Sequence, residues 1–301
     1  NLFINFSQSS FAMIFKDTLF SVKQTVNCGG RLFSFKEPRV AGILNLTPDS
    51  FYDGRRYEAE AEALRHVAEM VEEGADIIDI GAYSSRPDAD HISEEEEFSR
   101  LEPVLTGIRR LFPDLLISID TFRSGIVKKV VRDFNVQIVN DISAGLMDQE
   151  MFSVVASLKV PYIMMHMKGT PANMQNNPVY NDVVKEILSF FSERIQQAKY
   201  AGIDDIIIDP GFGFGKKRSH NYTLLRELHI FTMLGYPIMA GLSHKSMIYQ
   251  PLDITSQEAL NGTTVLNTLA LKNGANLLRV HDVKEAKQTI KLFQLYQNPE
   301  Y

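Results

Sequence analysis

Short apolar runs recur along the chain, and each of them leads into a polar residue that could take part in chemistry. The runs and the residues that follow them are 40–44 before Asn45, 75–78 before Asp79, 115–119 before Asp120, 136–139 before Asn140 and Asp141, 162–165 before His166, 206–208 before Asp209, 238–242 before Ser243 and Lys245, and 277–278 before Arg279 and His281. Such runs, rich in Val, Ile and Leu, are typical of strands buried on both faces of a parallel sheet. A (β/α)8 barrel gathers the carboxyl ends of its strands on one face, where the active site lies. The pattern therefore predicts an α/β fold, a (β/α)8 TIM barrel, and an enzyme.

Segments with helical periodicity separate these runs. They cover residues 58–73, 94–112, 123–134, 149–158, 182–201, 221–234, 256–273 and 283–297. Alternating strands and helices are the signature of parallel βα units. Ser93, followed three residues later by Glu96, predicts a capping box at the start of the second helix. Before the first strand, residues 25–35 alternate around the turn-forming sequence Asn-Cys-Gly-Gly at 27–30, which predicts a short N-terminal β-hairpin that closes the barrel bottom.

The length of the chain suits one domain. A barrel of this kind needs roughly 250 residues, and the chain has 301. Residues 1–20 are rich in Phe, Ser and Asn, and they lack the basic start and cleavage site of a secretory signal. We predict an N-terminal extension over 1–20, in which Met13 is a candidate native start, and a single TIM-barrel domain over 21–301.

Charge and cysteine content limit the partners and the location. A net charge of −6 leaves no basic excess to neutralise phosphates, which argues against nucleic acid or an anionic membrane surface as a partner. The single cysteine, Cys28, cannot form an intrachain disulfide and favours a reducing, cytoplasmic location. No apolar run approaches the roughly 18 residues that a membrane span requires.

Four of the strand-end residues suggest a ligand of a particular shape. Asp120, Asp209, Asn140 and Lys245 combine two acceptors, one amide that both donates and accepts, and one cationic donor. This set suits a flat heterocycle with alternating amine, ring N–H and carbonyl groups, such as a pterin or a guanine. The alternative, that these residues only hydrogen-bond neighbouring loops, is reasonable for one of them but not for the whole set.

A second group of residues suggests an anion site. Arg86, Arg279, His281 and Asn45 follow strands that are adjacent in a closed barrel, and together they could hold a diphosphate. Asn45 could also give an oxygen ligand to Mg²⁺. The non-functional alternative for Arg279 is a surface salt bridge. The histidines contain no H-x-x-x-H pair, so zinc is not expected.

Further candidates lie in the loops after the strands. Ser246, just before an apolar segment, could open a helix whose N-terminus favours a carboxylate, although an ordinary N-cap explains it equally well. Phe51 and Phe214 could stack on an aromatic ring, although loop phenylalanines are more often packing residues. His166 is expected to be a hydrogen-bonded wall residue rather than a catalyst.

Together these motifs resemble one family, the dihydropteroate synthases among the pterin-binding enzymes. The matching segments are Asn45-Leu-Thr-Pro-Asp-Ser-Phe, Ser85-Arg-Pro, Ser118-Ile-Asp-Thr, Asn140-Asp-Ile-Ser, Asp209-Pro-Gly-Phe-Gly-Phe-Gly-Lys, Ser243-x-Lys-Ser and Arg279-Val-His-Asp. They run in order from about residue 43 to residue 281. The resemblance implies a TIM-barrel transferase of folate biosynthesis that joins 6-hydroxymethyl-7,8-dihydropterin diphosphate to p-aminobenzoate, releasing diphosphate. It also implies Mg²⁺, a homodimer built on the late helices, and a target of sulfonamides.

The resemblance also assigns roles to single residues. It implies pterin binding by Asp79, Asp120, Asn140, Asp209 and Lys245; diphosphate binding by Asn45, Arg86, Arg279 and His281, with Asn45 as the Mg²⁺ ligand; p-aminobenzoate binding by Phe51, Ser85, Pro87, Phe214, Ser243 and Ser246; and catalytic roles for Asp49, Asp120, Asp209 and Lys245. Since the motifs contain no protein nucleophile, we expect an SN1-like displacement in which loops around Asp49 close over the site.

The chain departs from the family pattern at five positions. The second loop usually reads Gly-Gly-Glu-Ser-Thr-Arg-Pro-Gly, whereas this chain has Ala82, Tyr83, Ser85 and Asp88 at the positions that differ, and His244 replaces the usual arginine of Ser-Arg-Lys-Ser. These changes lie toward the aminobenzoate end. Two alternatives stay open, a pterin-dependent methyltransferase and a non-catalytic pterin-binding paralogue. The first would not need the Thr47-Pro-Asp-Ser and Arg279-Val-His segments, and the second would not need the intact polar strand ends.

Overall fold

A computed structural model gives the architecture of the chain. It describes residues 22–46, 56–84, 91–171, 173–174 and 176–300. Five residues of the predicted site lie outside these ranges, namely Asp49, Phe51, Ser85, Arg86 and Pro87.

Eight parallel strands form the predicted barrel, after a two-stranded antiparallel hairpin. The strands are β1 (Thr25–Cys28) and β2 (Arg31–Ser34) in the hairpin, then β3 (Arg39–Asn45), β4 (Ile77–Gly81), β5 (Ile117–Asp120), β6 (Ile138–Asp141), β7 (Tyr162–Met165), β8 (Ile206–Asp209), β9 (Met239–Ala240) and β10 (Leu277–Val280). Neighbours in the barrel follow the order β8, β7, β6, β5, β4, β3, β10, β9, and a parallel bridge between Ile208 and Ile238 joins the two ends. The TIM-barrel prediction is confirmed.

Helices connect the strands on the outside. They are α1 (Arg56–Glu72), α2 (Glu94–Leu111), α3 (Ser124–Phe134), α4 (Met151–Leu158), α5 (Val183–Ala201), α6 (Arg218–Arg226), a 3-10 helix (Leu228–Leu234), α7 (Ser246–Leu252), α8 (Leu260–Lys272) and α9 (Val283–Gln297). The single helix expected over 221–234 is wrong, because residues 229–232 (His-Ile-Phe-Thr) have low helix propensity and wind into the 3-10 helix instead. The short helix α7 was too brief to leave a periodic signal.

The second helix begins with half of the predicted capping box. Ser93 Oγ accepts a hydrogen bond from the backbone N–H of Glu96 at 3.1 Å. The carboxylate of Glu96 does not reach back to the cap, however, and instead accepts from Arg100 at 2.5 Å. Ion pairing one turn ahead has therefore replaced the second bond of the box.

One strand is shifted from its predicted position. The expected strand over 75–78 runs over Ile77–Gly81, because the side chain of Asp76, just before the strand, bonds to other segments. Its carboxylate accepts from the backbone N–H of Val40 at 2.9 Å and pairs with Arg39 and Lys287. As a result Asp79 lies in the middle of β4 and not at its tip, which places it deeper in the barrel than the other polar residues.

The hairpin closes the amino-terminal end of the barrel, as predicted. Val26, Cys28, Phe33 and Phe35 form one buried apolar cluster with residues from all eight barrel strands or the segments that lead into them, including Ile77, Ile138 and Leu277. Burial raises the pKa of the Cys28 thiol to about 12, so it is an unreactive packing group. Among the described residues, no helix combines the length and apolarity needed to cross a membrane.

Candidate active site

A cavity of about 200 Å³ opens at the carboxyl ends of the barrel strands. Its lining includes most of the predicted site residues that the structure describes: Asn45, Asp120, Asn140, Asp209, Phe214, Ser243, Lys245, Arg279 and His281. Asp79 lies just beneath them, hydrogen-bonded to two of the lining residues. Parallel strands bring these side chains together because all of them leave the same edge of the barrel.

Arg279 ties together the acidic side of the cavity. Its Nε donates to Asp79 Oδ2 at 2.6 Å, and a terminal nitrogen donates to Asp120 Oδ2 at 2.7 Å. Asn140 Nδ2 donates to the same Asp79 oxygen at 2.9 Å. The other oxygen of Asp79 is buried and has no hydrogen-bond partner among the described residues. Arg279 is therefore part of a half-buried network and not the surface salt bridge that was its alternative.

The protonation of this network is set by burial and by its own charges. Burial raises the pKa of Asp120 to about 7, although the guanidinium of Arg279 opposes the shift. Burial acts on Arg279 in the opposite sense, but the carboxylates of Asp79 and Asp120 outweigh it, and the pKa of Arg279 is raised. Asp120 can therefore exchange a proton near neutrality, whereas Arg279 stays charged.

On the opposite wall, Asp209 and Lys245 meet the glycine-rich loop after β8. Asp209 Oδ1 accepts from the Gly211 backbone N–H at 2.8 Å, and Lys245 Nζ donates to the Phe212 carbonyl. Lys245 Nζ also lies 5.0 Å from the centre of the Phe214 ring, within cation–π range. Burial raises the pKa of Asp209, and it lowers the pKa of Lys245 to about 8 against the charge of Asp209.

An apolar wall completes the cavity between these two sides. Phe122, Ile142, Met165, Met167 and Met174 form a buried cluster, with Tyr83 and Phe214 packed against it. Tyr83 meets the Phe122 ring edge-on at 5.0 Å, and its hydroxyl lies 3.1 Å from His91 Nδ1. A flat apolar wall facing carboxylates and cations suits a planar heterocycle with polar edges.

The comparison with known proteins agrees with this geometry. The family model for the pterin binding enzymes matches residues 41–281. The chain belongs to this family. It is 41% identical to the dihydropteroate synthase of Haemophilus influenzae over 87% of this chain and 94% of that protein. It is 39% identical to the Escherichia coli dihydropteroate synthase over 88% of this chain and 94% of that one. The predicted resemblance to the dihydropteroate synthases of the pterin-binding family is confirmed.

Solved structures extend the likeness to the whole barrel. Dihydropteroate synthase from Yersinia pestis, in a sulfonamide complex, has a TM-score of 0.85 at 35% identity over 91% of this chain and 99% of that one. The Xanthomonas albilineans enzyme with 4-aminobenzoic acid has a TM-score of 0.84 at 38% identity, covering 91% and 98%. The same Xanthomonas enzyme in complex with 7,8-dihydropteroate has a TM-score of 0.81 at 36% identity, covering 91% and 99%.

The third side of this pterin-binding barrel carries His281, which is predicted to bind diphosphate, next to Ser243, which is predicted with Ser246 to bind p-aminobenzoate. Ser243 Oγ lies 2.9 Å from His281 Nδ1 and accepts from the His281 backbone N–H at 3.2 Å. Ser246 is exposed as the first residue of α7, which places it at a helix N-terminus as anticipated. Ser243 and His281 line the cavity together with Arg279, so a hydroxyl, an imidazole and a guanidinium share one end of the site.

Asn45 has the properties of a ligand for the expected Mg²⁺. It ends β3 with an exposed residue at the cavity, and its side chain has no hydrogen-bond partner among the described residues. Mg²⁺ commonly takes one or two protein oxygens and completes its shell with water and substrate phosphates. No group of three or more His, Cys, Asp or Glu that could hold a metal ion occurs in the described part of the chain. Asn45 with a substrate diphosphate therefore fits the ion, whereas an all-protein cage does not.

Two polar strand-end residues stabilise the loops around the cavity and do not line it. Asp141 accepts from Ser143, the Gly145 N–H and the Tyr162 hydroxyl, all within 2.7 Å, and so fixes the loop after β6. His166 packs behind the glycine-rich loop, and burial lowers its pKa to about 2, so its ring is neutral. The expectation that His166 is a wall residue agrees with this position.

Sequence reasoning missed Lys216. This residue is buried, and its Nζ lies 2.9–3.1 Å from the carbonyls of His166, Gly211 and Phe214 and 3.0 Å from His166 Nδ1. Burial lowers the pKa of Lys216 well below its ordinary value, against the charge of Asp209. Its side chain holds the loops after β7 and β8 together, and thereby fixes the Phe212 carbonyl and Phe214 ring beside Lys245. A lysine after three alternating glycines carries no sequence signal of burial, because lysine is usually exposed.

Proposed function

We propose that this chain is a dihydropteroate synthase, which condenses 6-hydroxymethyl-7,8-dihydropterin diphosphate with p-aminobenzoate to give 7,8-dihydropteroate and diphosphate. The observation that carries the proposal is the network in which Arg279 and Asn140 meet Asp79 and Asp120 across the cavity from Asp209 and Lys245. The relatives at about 40% identity carry the same name.

The polar edge of a pterin matches these two walls. Asp120 and Asp209 accept from the ring amine and ring N–H groups, and Asn140 and Lys245 donate to ring nitrogen and carbonyl oxygen. Asp79 anchors Asn140 and Arg279 from below. Met165, Ile142 and Phe214 cover the ring faces.

We place the diphosphate at the end of the cavity with Asn45, Arg279 and His281, and we expect Arg86 of the second loop to bind it as well. Asn45 would hold Mg²⁺ through its amide oxygen. Bound there, the ion supplies positive charge for the leaving diphosphate. Arg279 and His281 direct their N–H groups to the same oxygens, so that the charge that develops is met by preorganised donors.

The displacement is SN1-like and requires no protein nucleophile, because diphosphate is already a good leaving group whose developing charge the site can stabilise. Loss of diphosphate leaves a cationic pterin methylene, which the carboxylates of Asp120 and Asp209 stabilise. The p-aminobenzoate is framed by Phe51, Ser85, Pro87, Phe214, Ser243 and Ser246, with its carboxylate toward Ser246. We expect the loop around Asp49 to close and exclude water, after which the amine nitrogen bonds to the methylene carbon and passes its proton to the released diphosphate.

The test measures diphosphate release from purified protein with the dihydropterin diphosphate and Mg²⁺, with and without p-aminobenzoate. Release that depends on p-aminobenzoate, with dihydropteroate in equal amount, is the expected result. Diphosphate release without p-aminobenzoate would support binding and cleavage of the dihydropterin diphosphate, but not its condensation with p-aminobenzoate. Bound pterin without any release would contradict the proposal and favour a non-catalytic pterin-binding protein.

We also propose a homodimer in the cytoplasm. The outward faces of α8 and α9 expose Val265, Leu269, Leu292 and Tyr296, with an open pocket between the two helices. A second copy would cover this apolar surface at an interface related by a two-fold axis. The cytoplasmic location is a prediction that rests on the single cysteine.

A further inference from the structure

His244 has both of its ring nitrogens occupied by acceptors. Its Nδ1 lies 2.5 Å from the carbonyl oxygen of Ser256, and its Nε2 lies 2.7 Å from Asp282 Oδ2. A carbonyl and a carboxylate can only accept hydrogen bonds. A neutral imidazole has one N–H and one lone pair, so it would leave one of these contacts repulsive, and only the imidazolium donates at both nitrogens.

The backbone of His244 is also held in an unusual conformation. Its φ of 53° is in the left-handed region, which non-glycine residues seldom adopt without support. Support comes from Thr263 Oγ1, which accepts from the His244 N–H at 3.2 Å, and from the Ser256 hydroxyl, which donates to the His244 carbonyl at 3.2 Å. The ring is therefore aimed at Asp282 by contacts on three sides.

The charged groups around this ring favour its protonation. Asp282 faces it from the turn before α9, and His281 meets it edge-on with ring centres 5.7 Å apart. On the loop that carries His244, Lys245 donates to the Phe212 carbonyl and not toward the ring. On the segment before α8, the Glu258 carboxylate accepts from the Thr255 hydroxyl. Burial lowers the pKa of His281, and the charges of Arg279 and His66 lower it further. Burial opposes the charge on His244, but the Ser256 carbonyl and Asp282 outweigh it, so that its pKa is raised above 6.5.

This ion pair joins the two segments that meet at the diphosphate end of the cavity. Ser243 precedes His244, and His281 precedes Asp282. The Ser243–His281 hydrogen bond therefore lies directly beside the His244–Asp282 contact. Loss of the second contact would release both residues of the first.

We propose that His244 is a positioning residue whose imidazolium locks the Ser243–His281 pair for anion binding, and that the lock opens when His244 loses its proton. In this chain a titratable group stands where the family usually has arginine, whose charge is permanent. The identity of the anion as diphosphate rests on the proposed function, but the state of the ring does not.

The first test determines the protonation of the ring. ¹⁵N-histidine NMR of the free protein should show both nitrogens of His244 protonated at neutral pH, with assignment from His244→Gln. In Asp282→Asn, which removes one acceptor charge, the ring should lose its proton at lower pH. A neutral His244 tautomer at pH 6, about where an ordinary histidine is half protonated, would overturn the proposal whether or not the protein has the proposed activity.

The second test measures anion affinity by calorimetry, with inorganic diphosphate and Mg²⁺ as the probe, for wild type, His244→Arg and His244→Gln across neutral to alkaline pH. The dissociation constant of wild type should rise relative to that of His244→Arg by about tenfold, the loss expected for one hydrogen bond to a charged group. Comparison with His244→Arg cancels the titration of the diphosphate and of Lys245. The dissociation constant of His244→Gln should exceed that of His244→Arg at every pH. The positioning role would be overturned if the dissociation constant of wild type, relative to that of His244→Arg, stayed constant through the pH at which NMR shows that His244 loses its proton.

Discussion

Arg279 illustrates how one residue holds a buried carboxylate and a partly exposed one in a usable state. The side chains of Asp79 and Asp120 come from neighbouring strands, and the guanidinium lies between them. Without it, two acidic groups would share a site of low polarity, which is costly unless one of them takes up a proton. The same cation is thus the structural partner of Asp79 and Asp120 and, in the proposed function, a donor toward the diphosphate.

Removal of this cation should destabilise the protein strongly. We expect Arg279→Met to lower the free energy of unfolding by about 3 kcal/mol at neutral pH, because it leaves the carboxylates unpaired. Urea unfolding measures the change. Arg65→Met is the matched control, since Arg65 pairs with Glu69 on the exposed face of α1, and its loss should cost about 0.5 kcal/mol or less. Equal losses in both variants would contradict the assignment of a buried network.

Asp120 should make the stability of the protein depend on pH. Its pKa is raised from 3.8 to about 7 by burial. A carboxyl group with a higher pKa in the folded state contributes stability while it is protonated, and this contribution is lost as pH rises through the folded pKa. The free energy of unfolding of wild type should therefore fall relative to that of Asp120→Asn between about pH 4 and 7, and the difference should level off above. Parallel stability curves for the two proteins would show that Asp120 titrates normally.

At the scale of elements, the hairpin and the glycine-rich loop serve opposite ends of the barrel. The hairpin fills the amino-terminal opening with apolar side chains. At the other end, the loop after β8 is pressed against the loop after β7, where a Cβ on Gly211 would lie 2.1 Å from the His166 carbonyl oxygen. Only glycine allows that approach, and Lys216 bonds the two loops across it. Stability and site geometry therefore depend on different elements.

This separation can be tested in the hairpin. Phe33 is 7% exposed and Leu32, its neighbour on the opposite face of β2, is 71% exposed. We expect Phe33→Ala to lower the free energy of unfolding by about 3 kcal/mol and Leu32→Ala to change it by about 0.5 kcal/mol or less. Michaelis constants for both substrates should be unchanged in each variant, because the hairpin lies at the far end of the barrel from the cavity. A raised Michaelis constant in Phe33→Ala would contradict this separation.

At the scale of the whole molecule, α8 and α9 present several exposed apolar side chains on one face. Four large apolar side chains project there, next to Thr268 and Phe293 in the pocket between the helices. This face lies on the outside of the barrel, away from the polar strand ends. Association through it would leave the cavity open to substrates.

A single charge on this face should therefore separate the subunits. Leu292 is 68% exposed on α9, and Leu292→Asp should shift the protein from dimer to monomer in light scattering at micromolar concentration, because it buries a charge in the interface. Tyr200→Asp is the control, since Tyr200 is 96% exposed on α5, and it should stay dimeric. A wild-type protein that is already monomeric would contradict the homodimer.

Local patterns were sufficient for the architecture and for the membership of the site. Apolar runs and helical periodicity repeat along the chain, and barrel geometry then forces the strand-end residues to one face, so Asp120, Asn140, Asp209, Lys245 and Arg279 could be chosen without coordinates. The boundaries were less predictable, as β4 shows, because its start depends on what Asp76 bonds elsewhere.

Pairings between distant residues were decided by the tertiary structure alone. Arg279 reaches across 200 and 159 positions to Asp79 and Asp120, and Lys216 is buried only because four acceptors from two loops converge on it. In the sequence His244 is only a replacement for arginine, whereas the structure shows that both of its ring nitrogens face acceptors. The sequence by itself determined which chemical groups stand at the mouth of the barrel, because backbone periodicity is local. Which group holds which, and in what charge state, depends on side-chain directions and burial that exist only once the barrel has closed.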